Sequence, residues 1–344
     1  MAAQKYINNP FVSIVVCTFN RGDRLHPCLE SLEHQTYPHD RYEVIVVDDA
    51  STDDTAQIVR SRGMRVIRLE SNGGAAAARN IGAAAAKGDI IAFIDDDAVA
   101  DPQWLECLVQ PFGASGVSAV GGLILAYKTN YLAERYLSAI GCGNPAPLAF
   151  GKSKNPFLRF WAYLGSMFTP IFMEKEPMEV QAVFTANAAY RASLLRSIGG
   201  FDEALRYDED ADVSTRLRDR GAHLFFVPAA IVHHRHRESL IKLIRQTYLN
   251  AENTLRYYVK EKKVLPIFPL PLFYLALVVC LLIFQPVYGV LFIIFGPLVL
   301  YGWWVVRAFR EYRFEYLVYG YIQFILESAS ILGLIRAKIR QLKK

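Results

Sequence analysis

The sequence predicts an α/β domain built on a parallel sheet with helices on both faces, followed by helices that associate with a membrane. Three observations carry this. Apolar runs alternate with helical patterns from Val12 to Ile94. Polar clusters stand at the carboxyl ends of three of those runs. Residues 264–306 contain no Asp, Glu, Lys, Arg or His.

Val12–Cys17 is a short apolar run of the kind buried on both faces, and it ends in Thr18-Phe19-Asn20-Arg21. A helical pattern covers 24–33. Glu43–Val47 is a second strand ending in Asp48-Asp49, and Thr52 or Asp53 can cap the helix that runs to about Arg62. Arg65–Leu69 is a third strand. Asn72-Gly73-Gly74 then turns into an alanine-rich helix, 75–86, ended by Gly88. Ile90–Ile94 is the fourth strand, and Asp95-Asp96-Asp97 stand directly after it. Three carboxylates at a buried strand end repel one another, so they imply a cation with a phosphorylated ligand, or an acidic loop that caps the next helix.

Strand and helix in alternation build a parallel sheet with right-handed crossovers, which collects all three polar clusters on one edge. Ligands of open α/β sheets bind there. No glycine-rich phosphate loop comes after the first strand, so neither a dinucleotide nor a P-loop site is expected, and a metal must carry phosphate charge. Residues 118–126, 180–190 and 223–227 read as further strands. The aromatic stretch 155–172 is either core or a segment lying near a membrane surface. Glu209, Asp210 and Asp212 open a helix, where carboxylates also serve simply as dipole partners.

A single helix over 264–306 would run roughly 65 Å, against a hydrocarbon core of about 30 Å. Two spans broken at Gln285-Pro286 are therefore expected. Basic residues flank both outer ends, Arg256, Lys260, Lys262 and Lys263 before and Arg307, Arg310 and Arg313 after, which places those ends in the cytoplasm. The third apolar stretch, 314–335, carries Glu315, Gln323 and Glu327 and precedes a basic tail, so it reads as interfacial or re-entrant. Residues 1–10 are polar and too short for a signal peptide, which keeps the bulk of the chain cytoplasmic. The 5 cysteines lack metal-ligand spacing, and in a reducing compartment they act as apolar fillers. The net charge of +5 sits mostly beside the membrane segments, which suits anionic lipid; no basic–aromatic stripe suggests nucleic acid. The expected organisation is a globular domain over 1–235, an amphipathic interfacial helix and linker over 236–263, a transmembrane hairpin over 264–306, and a third helix with the basic tail over 307–344.

VSIVVCTFNR, VVDDASTD, ARNIGAAAAKGDIIAFIDDD and GGFDEALRYDEDADVSTRL, then Gly221, stand in the order found in family 2 inverting glycosyltransferases. Over roughly residues 11–235 the chain resembles that family. The resemblance implies a GT-A fold, a Rossmann-like nucleotide-diphospho-sugar transferase domain, here joined to C-terminal membrane helices similar to those of anchored prokaryotic members. It also implies roles. Thr18, Asn20, Arg21, Asp49, Asn72, Arg79, Asn80 and Asp96 would bind the sugar-nucleotide donor. Asp95 and Asp97 would hold Mg2+ or Mn2+, with His233 or His236 as a candidate third ligand. Asp210, with Glu209 beside it, would serve as catalytic base for an acceptor hydroxyl attacking the anomeric carbon.

Two departures narrow the reading. The Q-x-x-R-W sequence of processive polysaccharide synthases is missing after the acidic motif. Where polyprenyl-phosphate sugar synthases carry an Arg…Gly-x-Ser-Lys segment, this chain has His233-His234-Arg235-His236-Arg237-Glu238-Ser239. A phosphate acceptor is already ionised and needs no base, so Asp210 favours a hydroxyl on a lipid-linked glycan. The alternatives are a polyprenyl-phosphate glycosyltransferase and a non-catalytic sugar-nucleotide-binding scaffold. The histidine cluster belongs either to the site or to a basic patch facing lipid head groups. The amphipathic stretch from Leu240 would hold the domain at the bilayer.

Overall fold

The computed structural model describes residues 9–144, 175–260 and 269–342. The aromatic stretch 155–172 lies outside them. The chain divides into two units, one made of residues up to 130 and 137–236, the other of 131–136 and 237 onward.

The first unit is organised by a 9-stranded sheet in the order β3-β2-β1-β4-β8-β6-β9-β5, with β7 also paired to β9. The strands are β1 (Val12–Thr18), β2 (Tyr42–Asp48), β3 (Arg65–Arg68), β4 (Ile90–Asp95), β5 (Ala98–Ala100), β6 (Val117–Ala126), β7 (Met178–Glu179), β8 (Asn187–Arg191) and β9 (His223–His234). Strands β1 to β4 are parallel, as the alternation predicts. Beyond β4 the sheet is mixed. β8 runs antiparallel to both β4 and β6, and β5 runs antiparallel to β9. The strand expected over 180–190 is thus replaced by the shorter β8. The strand expected to stop at Val227 continues to His234, because Pro228–Ala230 fall in an irregularity between the Gly122–Val227 and Leu123–Ile231 pairs, where a proline breaks no ladder bond.

Helices α1 (Gly22–Glu33), α2 (Thr55–Ser61), α3 (Ala75–Ala85), α4 (Trp104–Val109), α6 (Ala192–Ser197) and α7 (Glu209–Arg218) complete this unit, and α5 (Leu132–Ala139) starts in the other unit and ends in this one. Two apolar layers cover the sheet. One packs Ile14, Val16 and Ile94 with Leu25, Leu29 and Trp104. The other packs Val15, Val47 and Phe93 with the alanines of α3 and with Val213 and Leu217 of α7. Each such aliphatic side chain contributes about 1.5–3 kcal/mol on burial. α3 needs small residues because it lies close on the sheet: a Cβ at Gly82 would collide with the side chain of Val15.

In the second unit α8 (Leu240–Lys260) packs along α12 (Tyr316–Leu342), where a Cβ at Gly333 would strike the carbonyl of Tyr248. Between them in sequence lie α9 (Pro269–Phe284), α10 (Pro286–Leu300) and α11 (Gly302–Arg310). The break at Gln285 falls between α9 and α10. Over the described residues α9 and α10 have 16 and 15 residues, short of the roughly 20 needed to cross a bilayer. α12, at 27 residues with a mean hydropathy of 1.5 in its most apolar window, is long and apolar enough to span one by length and composition. The pair α10–α11, bent by 62°, passes the same test together. The polar residues that pointed to an interfacial position for 314–335 have protein partners. Tyr301 donates to Glu327 at 2.6 Å, Gln323 to the other Glu327 oxygen at 3.0 Å, and Trp304 to Gln323 at 2.8 Å. Phe273, Ile283, Phe284, Val287 and Ile294 stay exposed, an apolar surface of the kind that faces lipid or a partner.

Candidate active site

The carboxyl ends of β1, β2 and β4 share one edge, because Thr18 pairs with Asp48 and Cys17 with Asp95. After Asp95 the chain turns through Asp96 and Asp97 into β5, whose Ala98 lies opposite His234 of β9. That antiparallel pairing brings a histidine from far downstream to the side of Asp97: His234 Nε2 is 3.1 Å from Asp97 Oδ1 and 3.3 Å from Asp95 Oδ2. The ligand atoms of Asp95, Asp97 and His234 all lie within 4.8 Å of one another, a spacing that could hold a metal ion.

The electrostatics of this cluster are strongly coupled. Burial opposes charge on His234, but the two carboxylates outweigh it and raise its pKa to about 10, so the imidazolium supplies positive charge between them. Burial pushes Asp97 upward, yet His234 and Arg21 hold it below the usual carboxylate range. Asp96 is raised to about 7, chiefly by burial, against the buried Thr18 hydroxyl and with Asp97 adding to the rise. Arg21 reaches both, at 3.9 Å from Asp96 and 3.7 Å from Asp97.

The histidines are assigned differently from the expectation. His233 Nε2 lies 3.0 Å from Asp101, away from the cluster, because neighbouring residues of a strand face opposite sides. His236 stands behind His234 with ring centroids 5.6 Å apart, and its pKa falls to about 4 through burial and the charge of His234. His234 is the residue that converges. Period-two patterning could not have found it, since the irregularity at Pro228–Ala230 resets the parity of β9.

Arg79 of α3 joins the cluster to the acidic helix. Its Nη2 is 3.7 Å from Asp95, its Nη1 donates to Glu209 at 2.6 Å, and its guanidinium lies 5.8 Å from the Phe201 ring centroid. Glu209 is therefore the buried counter-ion of Arg79. Asp210 accepts a hydrogen bond from Thr185 at 2.9 Å. Burial raises its pKa to about 7, with Arg79 and Thr185 opposing and Glu209 and Asp95 adding to the rise. Asp208, just before α7, has a left-handed backbone (φ 67°), a strained turn that aims Glu209 and Asp210 inward from the first helical turn.

Four residues expected at the donor are engaged mainly with the chain itself. Asn20 accepts from the Thr52 N–H at 2.8 Å and is held by Ser51, which ties the loop after β1 to the loop after β2. Asp49 accepts the N–H groups of Gly73 and Gly74 at 2.7 and 2.9 Å, and so shapes the entry to α3. Asn72 is exposed, with its amide 3.4 Å from the Asp49 carbonyl. Asn80 points away from Arg79, one residue and about 100° earlier on the helix, and clamps the turn at Phe201 through both N–H donation at 2.9 Å and acceptance at 2.8 Å. Thr18, Arg21, Arg79 and Asp96 do face the edge with Asp95 and Asp97. Besides His234, sequence reasoning missed Thr185, whose type and position give no signal before the fold is known.

Comparison with known proteins is consistent with this geometry. The family model described as Glycosyl transferase family 2 matches residues 13–199. Glycosyltransferase AglE of Haloferax volcanii is 29% identical over 63% of this chain and 64% of its own length. The glucosyl-dolichyl phosphate glucuronosyltransferase of the same organism is 27% identical over 56% of each chain. The match thus spans less than two thirds of either relative. Among solved structures, a mannosyltransferase from Pyrobaculum calidifontis, in complex with GDP-Man and Mn2+, superposes with a TM-score of 0.59 at 18% identity, covering 95% of this chain and 88% of its own. That similarity is one of GT-A fold.

Proposed function

Because this chain belongs to glycosyl transferase family 2, we propose that it moves a sugar, with inversion, from a nucleotide-diphospho-sugar to a hydroxyl of a lipid-linked glycan at the cytoplasmic membrane face. The observation that supports this reading most strongly is the continuous line Asp95/Asp97/His234, Arg79, Glu209/Asp210, which puts a cluster able to hold a cation beside a half-buried carboxylate of raised pKa.

In this reading His234 would give up its proton as metal binds, and Asp95, Asp97 and the neutral imidazole would hold a divalent cation. Two carboxylates and an imidazole suit Mn2+ better than Mg2+, which prefers oxygen ligands. The bound cation would supply charge stabilisation to the departing diphosphate. Arg21, beside Asp96 and Asp97, adds positive charge on the same side. Asp210 takes the proton from the acceptor hydroxyl as its oxygen bonds to the anomeric carbon; the bond to the diphosphate oxygen breaks, and that oxygen keeps the electron pair. Glu209 pairs with Arg79 and keeps the guanidinium from neutralising Asp210 by direct contact. Asn20, Asp49 and Asn80 shape the donor loops.

The relative named for glucosyl-dolichyl phosphate supports a lipid-linked sugar as acceptor. The apolar C-terminal helices agree with a membrane-confined substrate. A panel of UDP-, GDP- and dTDP-sugars tests the function: the donor should raise thermal stability and release nucleoside diphosphate only with Mn2+ or Mg2+. Release by the Asp210→Asn variant at the full rate would instead favour a phosphate acceptor.

A further inference from the structure

The segment between β7 and β8 carries a hydroxyl against the acidic helix. Thr185 is 1% exposed, and its Oγ1 donates to Asp210 Oδ1 at 2.9 Å. The backbone bearing it is fixed from both sides. The Val183 N–H donates to Ser214 Oγ at 3.2 Å, and Ser214 lies four residues after Asp210, on the same face of α7. On the other side Asn187 is locked in place. Its own N–H donates to the Phe184 carbonyl at 2.9 Å, its side-chain amide donates to the Leu123 and Ala230 carbonyls at 3.0 and 2.9 Å, and it accepts from Trp104 at 2.7 Å. The Thr185 hydroxyl is therefore presented by a rigid segment rather than a free loop.

We propose that Thr185 is the positioning residue for Asp210: its hydroxyl holds Oδ1 and leaves Oδ2 to accept the acceptor's proton. This rests on reading Asp210 as the base. Arg79 does not perform the task, because its guanidinium is engaged with Glu209 at 2.6 Å. The other charged or titratable groups around the carboxylate are Glu209, Asp95, Tyr190 and Tyr207, which act on it through charge and burial. A hydrogen bond to the ionised form favours that form, so Thr185 also keeps Asp210 ionised to lower pH than burial would otherwise allow.

The test uses the full chain in detergent with Mn2+ and whichever UDP- or GDP-sugar supports turnover, scoring nucleoside diphosphate release against pH. Thr185→Val should lower kcat about tenfold, the value of one hydrogen bond to a charged group, with donor KM unchanged and the acid limb moved to higher pH. Thr185→Ser should restore both rate and limb. A Thr185→Val enzyme with the wild-type rate and profile overturns the proposal. If Thr185→Val melts early, Thr185→Ser and Thr185→Ala decide instead: both lack the methyl group and they differ in the hydroxyl, so equal rates overturn the proposal and a faster Ser variant sustains it. Asp210→Asn separates the two claims. Full activity there defeats the base reading itself, whereas an inactive Asp210→Asn beside an unaffected Thr185→Val defeats only the role of Thr185.

Discussion

Arg79 and Glu209, 130 residues apart in sequence, meet at 2.6 Å inside the first unit, and the same guanidinium stands 3.7 Å from Asp95. One cation thus bridges the carboxylate cluster at the end of β4 and the start of the acidic helix. Both partners are buried, so removing either leaves an uncompensated charge. Arg79→Ala should lose about 3–5 kcal/mol of stability in denaturant titrations. The Arg79→Ala/Glu209→Ala double variant should lose less than the sum of the two single variants, and additive losses would show that the pair is not coupled.

Two adjacent histidines should behave oppositely. His234→Ala removes the nitrogen that lies 3.1 and 3.3 Å from the carboxylates of Asp97 and Asp95. It should abolish Mn2+-dependent thermal stabilisation, since a ligand stabilises only in proportion to its binding. His233→Ala should retain that response, because its contact is to Asp101. The two variants can be compared in one melting experiment over a Mn2+ titration.

Asp210, raised to about 7, should set the acid limb of the rate profile. The carboxylate must be ionised to take a proton, so kcat should fall as pH drops through about 7, and Asp210→Asn should lose roughly 10²–10⁴-fold. A bound cation offsets the negative charge of Asp95, so the limb should move lower as metal saturates. The stability effect has the opposite sign to that of an ordinary carboxylate. The folded-state pKa lies above the unfolded value, so the group's contribution is fully present below the unfolded pKa, about 4, and is lost as pH rises through about 7. Asp210→Asn should therefore be at least as stable as the wild type above about pH 7, as melting curves in buffers of increasing pH would show.

The turn before α7 offers a test of the fold's support for the site. Gly199 and Gly200 have φ of 82° and 72°, and a Cβ at Gly200 would also strike Asn80 Oδ1, while one at Gly199 meets nothing within 4 Å. Gly199→Ala should cost about 1 kcal/mol for the left-handed backbone. Gly200→Ala should cost clearly more, because it also breaks the Asn80 clamp on Phe201; equal losses in denaturant would contradict the clamp.

The first half of the fold was legible because each of its first four strands is a short apolar run punctuated by polar residues, and parallel pairing then places Thr18, Asp48 and Asp95 on one edge. The second half was not legible in the same way. No local pattern announces the antiparallel β8, nor the register shift at Pro228–Ala230 in the long β9. This is why His234 rather than His233 or His236 reaches the aspartates, and why Thr185 could be found only in three dimensions. Asn20 and Asn80 carry the motif but tie loops together, since a motif preserves the residues that shape a site along with those that line it.

The most direct measurement is nucleoside diphosphate release from the best sugar nucleotide, with Mn2+ and with EDTA, by the wild-type chain and by Asp210→Asn. Release should require the cation and fall by at least about a hundredfold in the variant, while the donor still stabilises both proteins against heat. Release that persists in EDTA, or that proceeds at the full rate in Asp210→Asn, would contradict a cation-assisted transfer with Asp210 as its base.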